Sequence, residues 1–370
     1  MKVYVYAIAK DEIKHAARFM ASMAEADGVW VLDTGSRDGT AEALRGLGAH
    51  VTVREIVPWR FDTARNESLA LLPEDADICV CADLDEVFRP GWRAALERSW
   101  LPGTQQAECR YVWSFTPDGR EGHVFYRQQI HARRGFHWKN AVHEVLCHEG
   151  AEPCRLVRAE GVQMEHYPDA EKSRGQYLPL LEQAVAEEPD NDRNRHYLGR
   201  EYMFRGLYDK AVATLQRHLA LPTALWRDER CASMRFIARC EEMLGRGEEA
   251  FSWLLRAVGE APWLREPWME LCRWMYQRED WEGVYFAAER ALRITARSEN
   301  YITEAESWGA LPWDLGSLGA YYTGRFDRAA QMAEEALRLS PGDNRIQDNI
   351  KLIYAQMMAS QSLRPQTQKD

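Results

Sequence analysis

Apolar positions along the first 166 residues come in short runs, separated by stretches in which they recur with helical spacing. The runs predict strands near 2–8, 28–32, 50–54 and 77–82, and a last one over Gly161–His166. Between the first two runs, Ile13, Ala16, Ala17, Met20 and Met23 share one face of a helix over Asp11–Ala26. Asp38-Gly39-Thr40 opens a second helix that ends near Gly46 or Gly48. Strands alternating with helices predict a parallel βαβαβ opening and an α/β domain. After His166 the pattern changes: residues 167–191 are polar, helix-forming and punctuated by Pro168, Pro179 and Pro189. Beyond Asn191 every strong periodicity is helical. The expected organisation is an α/β domain over 1–170, a helical linker over 171–191, helical repeats over 192–358 and a polar, disordered tail over 359–370.

The helical half carries internal similarity. Leu198-Gly199-Arg200-Glu201-Tyr202, then Gly206, Tyr208 and Ala211, fall at the intervals of a tetratricopeptide repeat. Looser copies follow at Gly245, Ala250, Ala257 and Pro262, at Trp268, Leu271, Trp281 and Ala291, and at Trp313, Gly324, Phe326, Ala329, Ala336 and Pro341. Small residues at these places let paired helices approach closely, so this half resembles the tetratricopeptide repeats and is expected to form a short solenoid. Its tryptophans, including Trp253, Trp263, Trp268, Trp274 and Trp281, read first as packing between helix pairs, with a peptide groove as the other reading.

Charge narrows the partners. The net charge of −10 divides into −6 for residues 1–170 (20 basic, 26 acidic) and −4 for the rest (27 basic, 31 acidic), so neither half has the basic balance that a phosphate backbone demands. No nucleic-acid partner is expected. No run of apolar residues is long enough for a membrane span, and Met1–Ala9 leads straight into Lys10-Asp11-Glu12 without a cleavage site. A cytoplasmic protein is the expectation, and the eight scattered cysteines then read as reduced, packed thiols.

Two loops carry candidate chemistry. Val29-Trp30-Val31-Leu32 ends on Asp33, and Thr34-Gly35-Ser36-Arg37-Asp38-Gly39-Thr40 turns into a helix. Ligands of open α/β sheets sit at the carboxyl ends of strands, which makes Asp33 an acceptor for a base N–H or ribose hydroxyls, and Asp38 a helix cap. Further on, the apolar run Ile78-Cys79-Val80-Cys81-Ala82 meets Asp83-Leu84-Asp85-Glu86. Three acids this close repel one another unless something compensates them. A divalent cation such as Mg²⁺ or Mn²⁺ bridging a diphosphate is one answer, and a solvated acidic turn is the other.

Together with Phe61-Asp62-Thr63-Ala64-Arg65-Asn66, these segments resemble the family 2 glycosyltransferases of the GT-A fold, over roughly residues 1–166. A subgroup of that family carries tetratricopeptide repeats after its catalytic domain. The resemblance implies an α/β GT-A nucleotide-sugar-binding domain followed by an all-α repeat domain, and an inverting transfer from a nucleotide-diphosphate sugar, UDP-sugar first. It places Ala7, Asp33, Arg65, Asp83, Leu84 and His143 at the donor, and Asp85 and Asp83 at a Mn²⁺ or Mg²⁺ ion, with His166 as a competing third ligand. Thr34 stands where a second aspartate is frequent, which leaves the base open. Trp138-Lys139-Asn140-Ala141-Val142-His143-Glu144-Val145 looks like the subgroup's acceptor-side segment, with Glu144 as the implied general base.

The acceptor has no motif. A peptide or protein side chain held by the repeats is one reading, a glycan or lipid-linked saccharide another. A noncatalytic repeat scaffold that binds nucleotide-sugars is the reading from a different class. A zinc site from His143, Cys147, His148 and Cys154 fits known ligand spacing poorly.

Overall fold

The computed structural model describes residues 1–116, 119–169 and 175–362. They form two compact units: Met1–Pro189 with Glu299–Tyr301, and the remainder from Asp190.

In the first unit, β1 (Val3–Ala9), β2 (Gly28–Asp33), β3 (His50–Val53) and β4 (Ile78–Cys81) alternate with α1 (Ile13–Ser22), α2 (Thr40–Gly46) and α3 (Phe61–Ala70). Then come β5 (Glu86–Phe88), α4 (Trp92–Ser99), β6 (Gln106–Val112), β7 (Val124–Ala132), β8 (Phe136–Lys139), β9 (Val145–His148), β10 (Leu156–His166) and α5 (Tyr177–Glu187). Eight strands form one sheet in the order β3-β2-β1-β4-β7-β6-β10-β5, and β8 and β9 form a separate hairpin. β1 lies between β2 and β4, parallel to both. Its alternate residues serve two cores, as the two-residue period of a strand dictates. Val3, Val5 and Ala7 pack with Ala16, Phe19 and Met23 of the α1 side. Tyr4 and Tyr6 pack on the other face with Leu69, Leu72 and Trp138. Burial on both faces explains the unbroken apolar run in the sequence.

The chain winds outward from β1 through β2 to β3, then returns to place β4 on the other side of β1. That reversal is a topological switch point, and it opens a crevice beyond the carboxyl ends of β1 and β4.

The first unit ends at Pro189, not near residue 170. Side chains of and beside α5 reach back into it, which is why segment 177–188 is no linker. The Tyr177 ring lies 6.0 Å from Phe61 and 5.9 Å from His143, Glu187 accepts from Arg60 at 2.7 Å, and Glu188 pairs with Lys139 at 2.5 Å. α5 also buries Leu180, Leu181 and Ala184 along one face.

The second unit is helical: α6 (Asp192–Phe204), α7 (Tyr208–Ala220), α8 (Arg227–Met243), α9 (Gly247–Glu260), α10 (Arg265–Tyr276), α11 (Trp281–Leu292), α12 (Leu311–Tyr322), α13 (Phe326–Leu339) and α14 (Asn344–Ser362), with one 3₁₀ turn at Ala305–Trp308. This is the expected helical repeat architecture. α14 runs three residues past 359, where the tail was expected to begin, and residues 363–370 lie outside the described residues. Gly206, Gly245 and Gly324 take left-handed φ in the turns of three pairs. In the third pair Glu279 holds that conformation, at φ 57°, which a Cβ makes costly. Trp274 stacks on Phe251 at 4.4 Å and Trp281 on Tyr322 at 4.1 Å, so these rings are packing. Trp263 stays 44% exposed.

Candidate functional site

The loops after β1 and β2 are sewn together by side chains. The Thr34 N–H and hydroxyl both donate to the Ala9 carbonyl, at 2.8 and 3.0 Å. Asp11 accepts from the Arg37 N–H at 2.7 Å, while its own N–H donates to the Ser36 hydroxyl at 2.8 Å. Asp38 accepts from the N–H groups of Ile13 and Thr40, each at 3.0 Å. Asp38 thus caps across both helix starts. Burial opposes its charge, but the bonds from Thr40 and Ile13 outweigh it and hold the carboxyl below its ordinary range.

Asp33 sits at the end of β2 with no exposed surface. Its Oδ1 accepts from the N–H groups of Gly35 and Ser36, at 2.9 and 2.8 Å. Its Oδ2 is buried without a hydrogen-bond partner. A carboxylate oxygen left this way is costly unless a ligand donor completes it.

Arg65 of α3 is the hub beyond β4. It is 5% exposed. Its Nε donates to Glu144 Oε1 at 2.5 Å, its Nη1 lies 2.9 Å from Asp83 Oδ1, and its Nη2 donates to Asp83 Oδ2 at 3.1 Å. The guanidinium also lies 5.2 Å from the Trp138 ring centre and reaches Cys81 Sγ at 3.2 Å. Burial works against the charge, yet Asp83, Cys81 and Glu144 together hold it on. Arg65 thus positions two carboxylates, with four of its five N–H directions taken by Glu144, Asp83 and Cys81.

The three acids after β4 separate by environment. Glu86 is 1% exposed. It accepts from the Asp83 N–H at 2.9 Å and the Tyr111 hydroxyl at 2.7 Å, and pairs with Arg127. Burial raises its pKa against the opposing charge of Arg127. Glu86 therefore holds the turn that presents the other two. Asp85 lies with its Oδ2 3.3 Å from His166 Nε2, and His166 Nδ1 is 3.0 Å from the Trp113 carbonyl. Burial would lower the His166 pKa, but the bond and charge of Asp85 raise it. Leu84 and Ala7 have their side chains in the apolar core, so only their backbone can face the crevice.

Glu144 and His143 lie on the loop between β8 and β9, where Asn140 and His143 take φ of 84° and 51°. Non-glycine residues in the left-handed region mark a strained loop held by its surroundings. α3 supplies the hold: Asn66 Nδ2 donates to the Trp138 carbonyl and Oδ1 accepts from the Trp138 N–H, both at 2.8 Å, and the Phe61 N–H donates to Ala141 at 3.0 Å. The His143 ring lies 5.9 Å from that of Tyr177.

Beside His166 opens a cavity of about 530 Å³, lined among others by Lys14, His15, Arg18, Phe115 and Tyr167. The sequence singled out none of these; Lys14 and Arg18 on one helix face were the available signal. His143, Cys147, His148 and Cys154 do not assemble into a ligand cluster among the described residues. The eight cysteines are unbridged, and among the described residues no helix is long and apolar enough to cross a membrane.

No family model matches the chain, and no curated protein matches it. Among solved structures it is similar to MamA, at 16% identity and a TM-score of 0.36 over 44% of this chain and 86% of that one. It is also similar to PilW, a type IV pilus biogenesis factor, at 17% identity and 0.37 over 46% and 72%. YrrB, described as a TPR protein with an unusual peptide-binding site, aligns at 13% and 0.36 over 47% and 81%.

Proposed function

We propose that the chain is a metal-dependent inverting glycosyltransferase that moves a sugar from a nucleotide-diphosphate donor, UDP-sugar first, to an acceptor presented by the repeats. The observation that supports it most is the placing of Asp33 and Asp83 at the carboxyl ends of β2 and β4, on either side of β1 at a topological switch point, with a bare buried oxygen on Asp33, Asp83 and Glu144 sharing one guanidinium, and Asp85 against an imidazole. Asp33 Oδ2 would accept from the base, and Asp83 from the ribose. The donor set that suits a cation is Asp85 with His166, since Asp83 and Glu86 already face Arg65 and Arg127. An imidazole in the set favours Mn²⁺ over Mg²⁺. Such an ion supplies charge neutralisation at the departing diphosphate. Glu144 would take the proton of an acceptor hydroxyl or thiol as that atom attacks the anomeric carbon from the face opposite the diphosphate. One C–O bond breaks, one bond to the acceptor forms, and the configuration inverts.

The test is nucleoside diphosphate release from UDP-, GDP- and dTDP-sugars with Mn²⁺, for the native chain, Asp85→Ala and Glu144→Gln. Loss of a general base lowers turnover by about a hundredfold to ten-thousandfold. Equal turnover in all three chains overturns the assignment.

A second reading, a noncatalytic scaffold built on the repeats, is favoured by the exposed aromatic side chains of the helical unit, among them Phe204, Trp226, Trp263 and Phe286, and by the hold of Arg65 on Glu144. It predicts donor binding without turnover.

A further inference from the structure

One polar cluster in the helical unit belongs to none of the chemistry above. His196 of α6, His218 of α7 and Glu229 of α8 place ligand atoms within 4.8 Å of one another. Both imidazoles are fully buried and Glu229 is 3% exposed. The two rings share an outer partner: His196 Nδ1 is 2.7 Å and His218 Nδ1 2.9 Å from the Ser233 hydroxyl oxygen. One hydroxyl oxygen has two lone pairs and can accept from both Nδ1–H groups. In that arrangement both rings take the tautomer whose Nε2 carries a lone pair.

Those Nε2 atoms are the unusual feature. Both are buried without a hydrogen-bond partner, although Glu229 Oε1 stands 3.4 Å from that of His218. Two imidazole nitrogens and a carboxylate oxygen are a His₂Glu donor set, and a hydroxyl on the far ring nitrogens is the outer partner that ligating histidines need. A repeat that merely packed its helices would place apolar side chains here, as it does at Ala211, Leu215 and Ile237.

We propose that His196, His218 and Glu229 form a structural site for a divalent transition-metal ion of the Zn²⁺ class, joining the first helix pair of the repeat unit to the helix that follows it. The site is independent of the transferase reading: the residues lie in a separate compact unit, and none of them serves the donor.

The experiment uses the full-length chain carrying Asp85→Ala and His166→Ala, so that no ion is counted at the donor site. After chelation, addition of Zn²⁺ and desalting, elemental analysis is expected to find one zinc per chain, with a rise in melting temperature. Adding His196→Gln or His218→Gln removes the zinc and the rise. Zinc absent from the parent, or retained unchanged in the histidine variants, overturns the site. Should those variants fail to fold, Co²⁺ added to the folded parent decides: visible d–d absorption of a four-coordinate, nitrogen-ligated ion supports the site, and only the pale spectrum of hydrated Co²⁺ overturns it.

Discussion

Asp33 keeps one oxygen in a turn and leaves the other buried and bare. Asp33→Asn preserves shape but removes the anion that the Gly35 and Ser36 N–H groups favour. It is expected to cost about 1–3 kcal/mol in urea denaturation and to abolish thermal stabilisation by donor. Arg65→Met should cost more, about 3–5 kcal/mol by the same measurement, because it strands carboxylates beside an apolar replacement. His131 supplies a pH signature that sequence reasoning missed. Fully buried in β7, it accepts from the Tyr6 hydroxyl at 2.8 Å while its Nδ1 donates to the Ala132 carbonyl. Burial lowers its pKa from 6.5 to about 4. A ring that resists protonation only when folded lends stability that is whole above pH 6.5 and is lost as pH falls through 4. The loss amounts to roughly 3 kcal/mol. Melting temperature against pH should fall less steeply over that window in His131→Gln.

At the level of elements, the Asn66 amide acts as a short extra strand, pairing with both backbone groups of Trp138. Asn66→Ala is expected to cost about 1–3 kcal/mol, read from the denaturant midpoint, and to lower turnover by letting the Glu144 loop drift. In the repeats, a Cβ at Gly319 would lie 2.6 Å from the Tyr285 amide nitrogen, so Gly319→Ala should cost about 1–3 kcal/mol from overpacking between α11 and α12. What the pattern made legible follows the same physics. β1, β2, β4, α1 and α2 were readable because they are apolar on both faces or along one stripe, and β3, a half-exposed edge strand, because Val51 and Val53 alternate with polar residues. β7 was not, since Gln129 and His131 are buried polar residues that break its alternation. Asp33, Asp83 and Asp85 could be read as candidates because a strand end announces them. The partners of Arg65 and Glu86 could not, because whether a charge meets another protein group depends on residues distant in sequence.

Among the described residues, the apolar clusters around β1 and those of the helices share no residue. Each can melt around its own core, so calorimetric enthalpy should exceed the van't Hoff enthalpy, and zinc should raise only the helical transition if the buried histidine site is filled. Arg65 has a consequence of another kind. One cation serves two anions, Asp83 and Glu144, which the proposed function puts on the donor and acceptor sides, and whatever draws Asp83 away changes the hold on Glu144. On the proposed reading this predicts, in kinetic language, compulsory order: the donor arrives before the base is released, and stray water meets a restrained carboxylate. Initial-rate patterns are expected to show donor binding first, and Arg65→Lys, with a single point charge in place of a fork, should relax that order and raise donor hydrolysis relative to transfer.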